Sequence, residues 1–149
     1  MALPETIRTE MTAAMRAGDA RRRDTLRLLL AALANARIAV GHDLGEEEAV
    51  RVLQREAKQR HDSIEEFRRG SRADLVAREE EELRVLAEFL PSALPDEEVE
   101  SLARAVIAEV GATAPADLGT VMRPLMERLA GRADGRRVSE LVRGLLGGA

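Results

Sequence analysis

The chain has 149 residues, 34% of them charged and 45% hydrophobic, enough for one ordinary domain or two small ones sharing little core. It has no Cys, Trp or Tyr, and Phe67 and Phe89 are its only aromatic residues. That excludes a disulfide framework, thiolate metal sites, a cysteine nucleophile and a single-strand reader built on aromatic stacking. The formal net charge of -4 gives no bulk attraction to nucleic acid or an anionic membrane, so any such attraction must be local.

No apolar run approaches the roughly 18 residues of a membrane span. The opening Met-Ala-Leu-Pro-Glu-Thr lacks a basic segment followed by an apolar one. The expectation is a cytoplasmic protein with no membrane partner. Ala, Leu, Glu and Arg dominate, and β-branched runs of period two are missing, so the fold class is all-α.

A first helix starts near Pro4, carries Ile7, Met11, Ala14 and Met15 inward, and ends at Gly18. Asp19 or Asp24 opens a second. There Leu26, Leu29, Leu30 and Leu33 form one stripe, while Leu28, Ala31, Ala32 and Ile38 widen it past half the circumference; such a helix is expected at the centre of an N-terminal bundle. After the Gly41–Gly45 turn a third helix runs from about Glu46 to Arg69, acidic at its start and basic at its end, as the helix dipole favours. Val50, Leu53, Ala57, Ile64 and Phe67 form its thinner apolar face. Gly70 ends it, and Ser71 or Asp74 caps a fourth helix with Val76, Leu83, Leu86, Ala87 and Leu90 inward and Glu79 to Glu82 mostly outward.

Pro91-Ser92-Ala93-Leu94-Pro95 reads as a linker between an N-terminal four-helix domain (1–90) and a three-helix tail domain (96–149). The fifth helix carries Val99, Leu102, Ala103, Val106 and Val110 to Gly111. Asp117 caps the sixth, with Leu118, Val121, Met122, Leu125 and Leu129 inward, Pro124 tightening or bending it and Gly131 stopping it. Asp134 caps the seventh, with Val138, Leu141, Val142 and Leu145 inward.

Few residues nominate catalysis. His61 and Glu65 stand one turn apart, half a metal site, but no further ligands are evident, and a solvated helix pair is the plainer reading. Ser71 and Ser139 lie in no nucleophile turn, and no glycine-rich loop follows a strand. No catalytic residue, cofactor or metal is expected.

The electrostatic signal lies at the end of the chain. From Gly111 onward stand Arg123, Arg128, Arg132, Arg136, Arg137 and Arg143 against Asp117, Glu127, Asp134 and Glu140. Gly131-Arg132-Ala133-Asp134-Gly135-Arg136-Arg137 places three arginines around a helix N-terminus, where exposed N–H groups favour anions and guanidinium adds bidentate phosphate contacts. Two readings follow. Either the arginines form a phosphate-backbone site, or Arg132 and Arg137 pair with Asp134, Glu140 or the acidic fifth helix.

The segments Lys58-Gln59-Arg60-His61-Asp62-Ser63-Ile64-Glu65-Glu66-Phe67, Gly70, Arg72, Asp74-Leu75-Val76 and Glu80/Glu82-Leu83 resemble the signature of the GatB/YqeY family. Phe89-Leu90-Pro91 with Leu94, Glu97-Glu98 and Gly131-Arg132-Ala133-Asp134-Gly135 with Val138 extend the resemblance from Met11 to Leu145. Stand-alone YqeY-like proteins match better than the amidotransferase subunit, whose catalytic cradle has no room in this length. Pro95 departs from the pattern by replacing a capping Ser and shifts the cap to Asp96; Pro124 departs by interrupting the sixth helix.

The resemblance implies a four-helix part and a three-helix tail, the tail being the piece that the B subunit of the glutamyl-tRNA(Gln)/aspartyl-tRNA(Asn) amidotransferase uses against tRNA. Similar modules are appended to a glutaminyl-tRNA synthetase. The implied function is a non-catalytic, tRNA-associated adaptor, with Arg128, Arg132, Arg136, Arg137 and Arg143 on RNA phosphates, and with tRNA-aminoacylation or amidotransferase proteins as further partners. One alternative is a protein–protein module whose acid-rich third helix and Glu79–Glu82 run meet a basic partner. Another is an accessory to a glutamine-dependent amidotransferase, a carbon–nitrogen ligase with glutamine as amido-N-donor. No residue here is nominated to phosphorylate a tRNA-linked carboxylate or release ammonia.

Overall fold

A computed structural model describes residues 2–147; Met1 and the last two residues of the tail range lie outside them. Every regular element among the described residues is helical. The chain divides into two compact units at Leu90 and Pro91.

In the first unit lie α1 (Leu3–Ala17), α2 (Ala20–Val40), α3 (Glu46–Arg69) and α4 (Ala73–Ala87). Gly18, in the left-handed conformation (φ 74°), closes α1. The Asp19 N–H then reaches back to the Ala14 carbonyl at 2.9 Å while its carboxylate accepts from the Arg22 N–H at 3.1 Å. One residue thus satisfies orphan groups at the end of one helix and the start of the next. At α3 the Glu48 carboxylate reaches back to the Gly45 N–H at 3.0 Å, satisfying a first-turn donor.

The turn into α4 differs from expectation. Ser71, not Gly70, takes the left-handed conformation (φ 56°), and Arg72 stands at the N-cap with no side-chain cap bond. Asp74 is engaged by the Arg72 guanidinium instead, which holds its carboxyl below the usual range.

The core of this unit joins Ile7 and Ala14 of α1, Leu26, Leu29 and Leu33 of α2, Ala49, Val52 and Leu53 of α3, and Val85 and Leu86 of α4. Phe67 is half-buried, and Ala49 and Val52 rather than Val50 face inward on α3. As its expected central placement requires, α2 packs against α1, α3 and α4, but it is not surrounded. It buries one side, and Leu28 and Ile38 remain 49% and 78% exposed.

The second unit contains α5 (Asp96–Val110), a 3₁₀ turn at Pro115–Asp117, α6 (Leu118–Leu129) and α7 (Gly135–Leu145). Its core is Val99, Ala103 and Val106 against Val121, Leu125 and Leu129, and against Val138, Val142 and Leu146. Three capping expectations are corrected. Pro95, not Asp96, is the N-cap of α5. Asp117 does not cap α6 with its side chain; it accepts from the Thr113 and Ala114 N–H groups at 2.9 and 3.2 Å and folds the linker onto the 3₁₀ turn. Asp134 occupies the N-cap of α7 without a side-chain cap bond. The helix α6 continues through Pro124 and stops one residue before Gly131, at Ala130, which adopts φ 48°.

Candidate nucleic-acid interface

The tail arginines are distributed by α7 and by the segments leading into it. Along α7, Val138 and Val142 are buried, and at 100° per residue the opposite side carries Arg136, Glu140 and Arg143, with Arg137 beside them. Arg136, Arg137 and Arg143 are exposed. The first-turn N–H groups of α7 receive no cap from Asp134, so the positive end of the helix lies next to Arg136 and Arg137.

The five predicted residues do not share one set of partners. Arg128 grips both carboxylate oxygens of Glu109 on α5; this bidentate bond holds the Glu109 carboxyl below its ordinary range and raises the guanidinium. Arg132 is half-buried. Its Nε donates to the Ser92 carbonyl at 2.9 Å while its own carbonyl accepts from the Leu94 N–H at 2.9 Å, so it latches the 92–94 segment. Arg137 donates to Asp96 at 2.8 Å, with both side chains at least 70% exposed. Such an exposed pair contributes little and is easily exchanged for another anion. Arg143 and Arg123 make no ion pair among the described residues. The pairing reading therefore holds for Arg137, which meets Asp96 of α5, and not for Arg132, whose side chain donates to a backbone carbonyl; Arg128 is paired as well.

The first unit carries ionic structure that sequence reasoning missed. Arg60 is only 8% exposed; its Nε donates to Glu82 at 3.0 Å and one terminal nitrogen donates to the Glu56 carbonyl at 3.0 Å. Glu56 and Arg60 stand one turn apart, a visible signal, but nothing in the pattern announces Glu82. Burial and the neighbouring Glu82 charge raise the Glu79 carboxyl above its usual range. Arg22 bonds Glu88 at 2.6 Å and Glu10 at 3.1 Å, tying α2 to α1 and to the end of α4.

The Glu79–Glu82 run is thus not a free acidic face. Glu80 pairs with Arg68 and Glu81 with Arg21, and Glu82 with the buried Arg60. No group of three or more His, Cys, Asp or Glu among the described residues is arranged to hold a metal, and Glu65 pairs with Arg69 at 3.8 Å. No helix among the described residues is long and apolar enough to cross a membrane.

A family model described as Yqey-like protein matches residues 4–146. The chain belongs to the YqeY-like family. Two curated relatives of this family member were found. It is 39% identical over 85 residues, 56% of the chain and 46% of the relative, to Altered inheritance of mitochondria protein 41, mitochondrial, of Lachancea thermotolerans. It is 41% identical over 44 residues, 30% of the chain and 36% of the relative, to an uncharacterized protein of Schizosaccharomyces pombe. The YqeY-like chain spans less than half the length of either.

Proposed function

We propose that the protein is a non-catalytic, tRNA-associated adaptor whose tail unit contacts the phosphate backbone of a folded RNA. The observation that carries this reading is the outer side of α7. Arg136 and Arg143 lie two turns apart there, Arg137 stands beside them in an exposed and exchangeable pair, and the first turn lacks a side-chain cap. A surface of this kind reads backbone and shape, the main route by which double-helical RNA is recognised. Membership in the YqeY-like family supports the same reading through its resemblance to the tRNA-binding tail of the amidotransferase B subunit. The set of gripping residues is narrower than the sequence suggests. Arg128 and Arg132 serve the tail's own structure, and Arg136, Arg137 and Arg143 hold the phosphates. Proteins of tRNA aminoacylation or amidation are the partners this role implies.

The test is filter binding of unfractionated tRNA across a salt series. Affinity falls as salt rises, and Arg136→Glu with Arg143→Glu weakens binding of every tRNA alike, lowering the slope of log affinity against log salt by about one for each phosphate no longer neutralised. Arg128→Gln lowers the slope far less. Binding indifferent to salt and to the α7 substitutions refutes the proposal.

A further inference from the structure

Two contacts show which side of each tail helix borders which neighbour. On α6, Arg128 grips Glu109 of α5, whereas Met126 faces α7, where a Cβ on Gly135 would meet its methyl at 3.5 Å. At 3.6 residues per turn, Arg123 stands about 60° from Met126 and about 140° from Arg128, hence on the outer flank of α6 that borders α7. On α7, Arg137 reaches across to Asp96 of α5. Arg143 lies about 120° from Arg137 and about 80° from Gly135, on the flank that borders α6. The short turn at 130–134 joins the two helices and makes them antiparallel neighbours. Counted from Met126 beside Gly135, Arg123 stands level with Val138, about 7–8 Å along the axis from Arg143.

We infer that the phosphate backbone of the RNA runs along the groove between α6 and α7, held by Arg123 on one wall and Arg143 on the other. This rests on the reading of the tail as an RNA-binding unit, and adds to it a second helix and a direction for the strand. Both guanidinium groups are exposed and form no ion pair among the described residues. Elsewhere on this unit Arg104, Arg128 and Arg137 are each engaged by a carboxylate. Two cations left open on facing flanks are where an external anion gains most, because no internal partner has to be displaced. Glu127 and Glu140 stand one turn from them, also without ion pairs among the described residues. They are turned outward from Arg123 and Arg143 by about 40° and about 60°, where they oppose a strand lying outside the groove. A Cβ on Gly119, one turn before Arg123, would meet nothing within 4 Å, so the groove is unobstructed beside it. Helices packed at about 8–10 Å set the two guanidinium groups on opposite walls, so that one strand of a folded RNA meets a cation from each.

Binding of unfractionated tRNA by the full chain, measured for neutralised variants across a salt series, tests it. Arg123→Gln weakens binding about five- to eightfold near ~0.1 M salt, which is one phosphate contact at a slope of ~0.7–0.9 over the decade below ~1 M. Arg143→Gln does the same, and the double substitution lowers the slope by about two phosphates' worth. Arg104→Gln, an exposed position on α5, controls for net charge and lowers the slope by less than half as much as Arg123→Gln. Helical circular dichroism is unchanged in all four variants. Wild-type binding indifferent to salt overturns the RNA reading and this inference with it. Salt-dependent binding that Arg143→Gln weakens and Arg123→Gln does not overturns the groove alone. Equal losses from Arg104→Gln and Arg123→Gln also overturn the groove, because the effect then follows net charge rather than place.

Discussion

The Arg60–Glu82 pair offers the most direct test of how the first unit is held together. The two side chains are 9% and 16% exposed and 3.0 Å apart, so water screens them little. Replacing Arg60 with Met removes the cation but leaves Glu82 facing the half-buried Glu79. Breaking a buried pair in this way costs about 3–5 kcal/mol, because an uncompensated charge stays behind. The residual exposure of Glu82 places Arg60→Met near 3 kcal/mol, the lower end of that range. For a unit of this size, 1 kcal/mol corresponds to about 4–8 °C, so the melting temperature should fall by more than 10 °C. Glu82→Leu strands Arg60 on Glu56 alone, 3.6 Å away, and should cost a similar amount. The double variant removes both charges and should lie closer to the wild type than the sum of the singles, with a coupling of about 2 kcal/mol. Thermal unfolding of all four proteins by circular dichroism measures the cycle. Strictly additive losses, or an Arg60→Met variant within 1 kcal/mol of wild type, would refute the view that this pair acts as a buried unit.

Two further outcomes follow from the first and second units. Burial raises the Glu79 carboxyl in the folded state, so its contribution is present at acid pH and is lost as pH rises through the shifted range; Glu79→Gln should be more stable than wild type at pH 7, and urea titrations at pH 3.5 and 7 should show the gain shrinking in acid. At the end of α6, Ala130 holds φ 48°, a conformation that costs a residue with a Cβ about 1–2 kcal/mol. Ala130→Gly should therefore raise tail stability by about 0.5–1 kcal/mol after the entropy of the freer unfolded glycine, and a lowered midpoint in urea would contradict that account.

The helical class and most inward positions were legible because they rest on local terms, although Met15, Ala87 and Val110, expected inward, are exposed. Apolar spacing of 3.6 residues, glycine stops at Gly18, Gly41 and Gly111, and acidic first turns act within one helix and require no knowledge of its neighbours. Caps were read less well. Asp74, Asp117 and Asp134 have the right side chain at the right place, but a carboxylate beside a guanidinium or an unpaired loop N–H has competing partners. Only the folded geometry chose among them.

What tertiary structure alone decided is the fate of the charges and the exposure of α2. Composition shows that the tail is rich in arginine; it does not show that Arg128 closes on Glu109 and Arg132 on Ser92 while α7 turns the others outward. Nor does periodicity reveal that α2, apolar past half its circumference, leaves Leu28 and Ile38 exposed. Hydrophobic pattern states which residues avoid water within a helix, whereas the partner of a charge and the cover of a face depend on residues far apart in sequence.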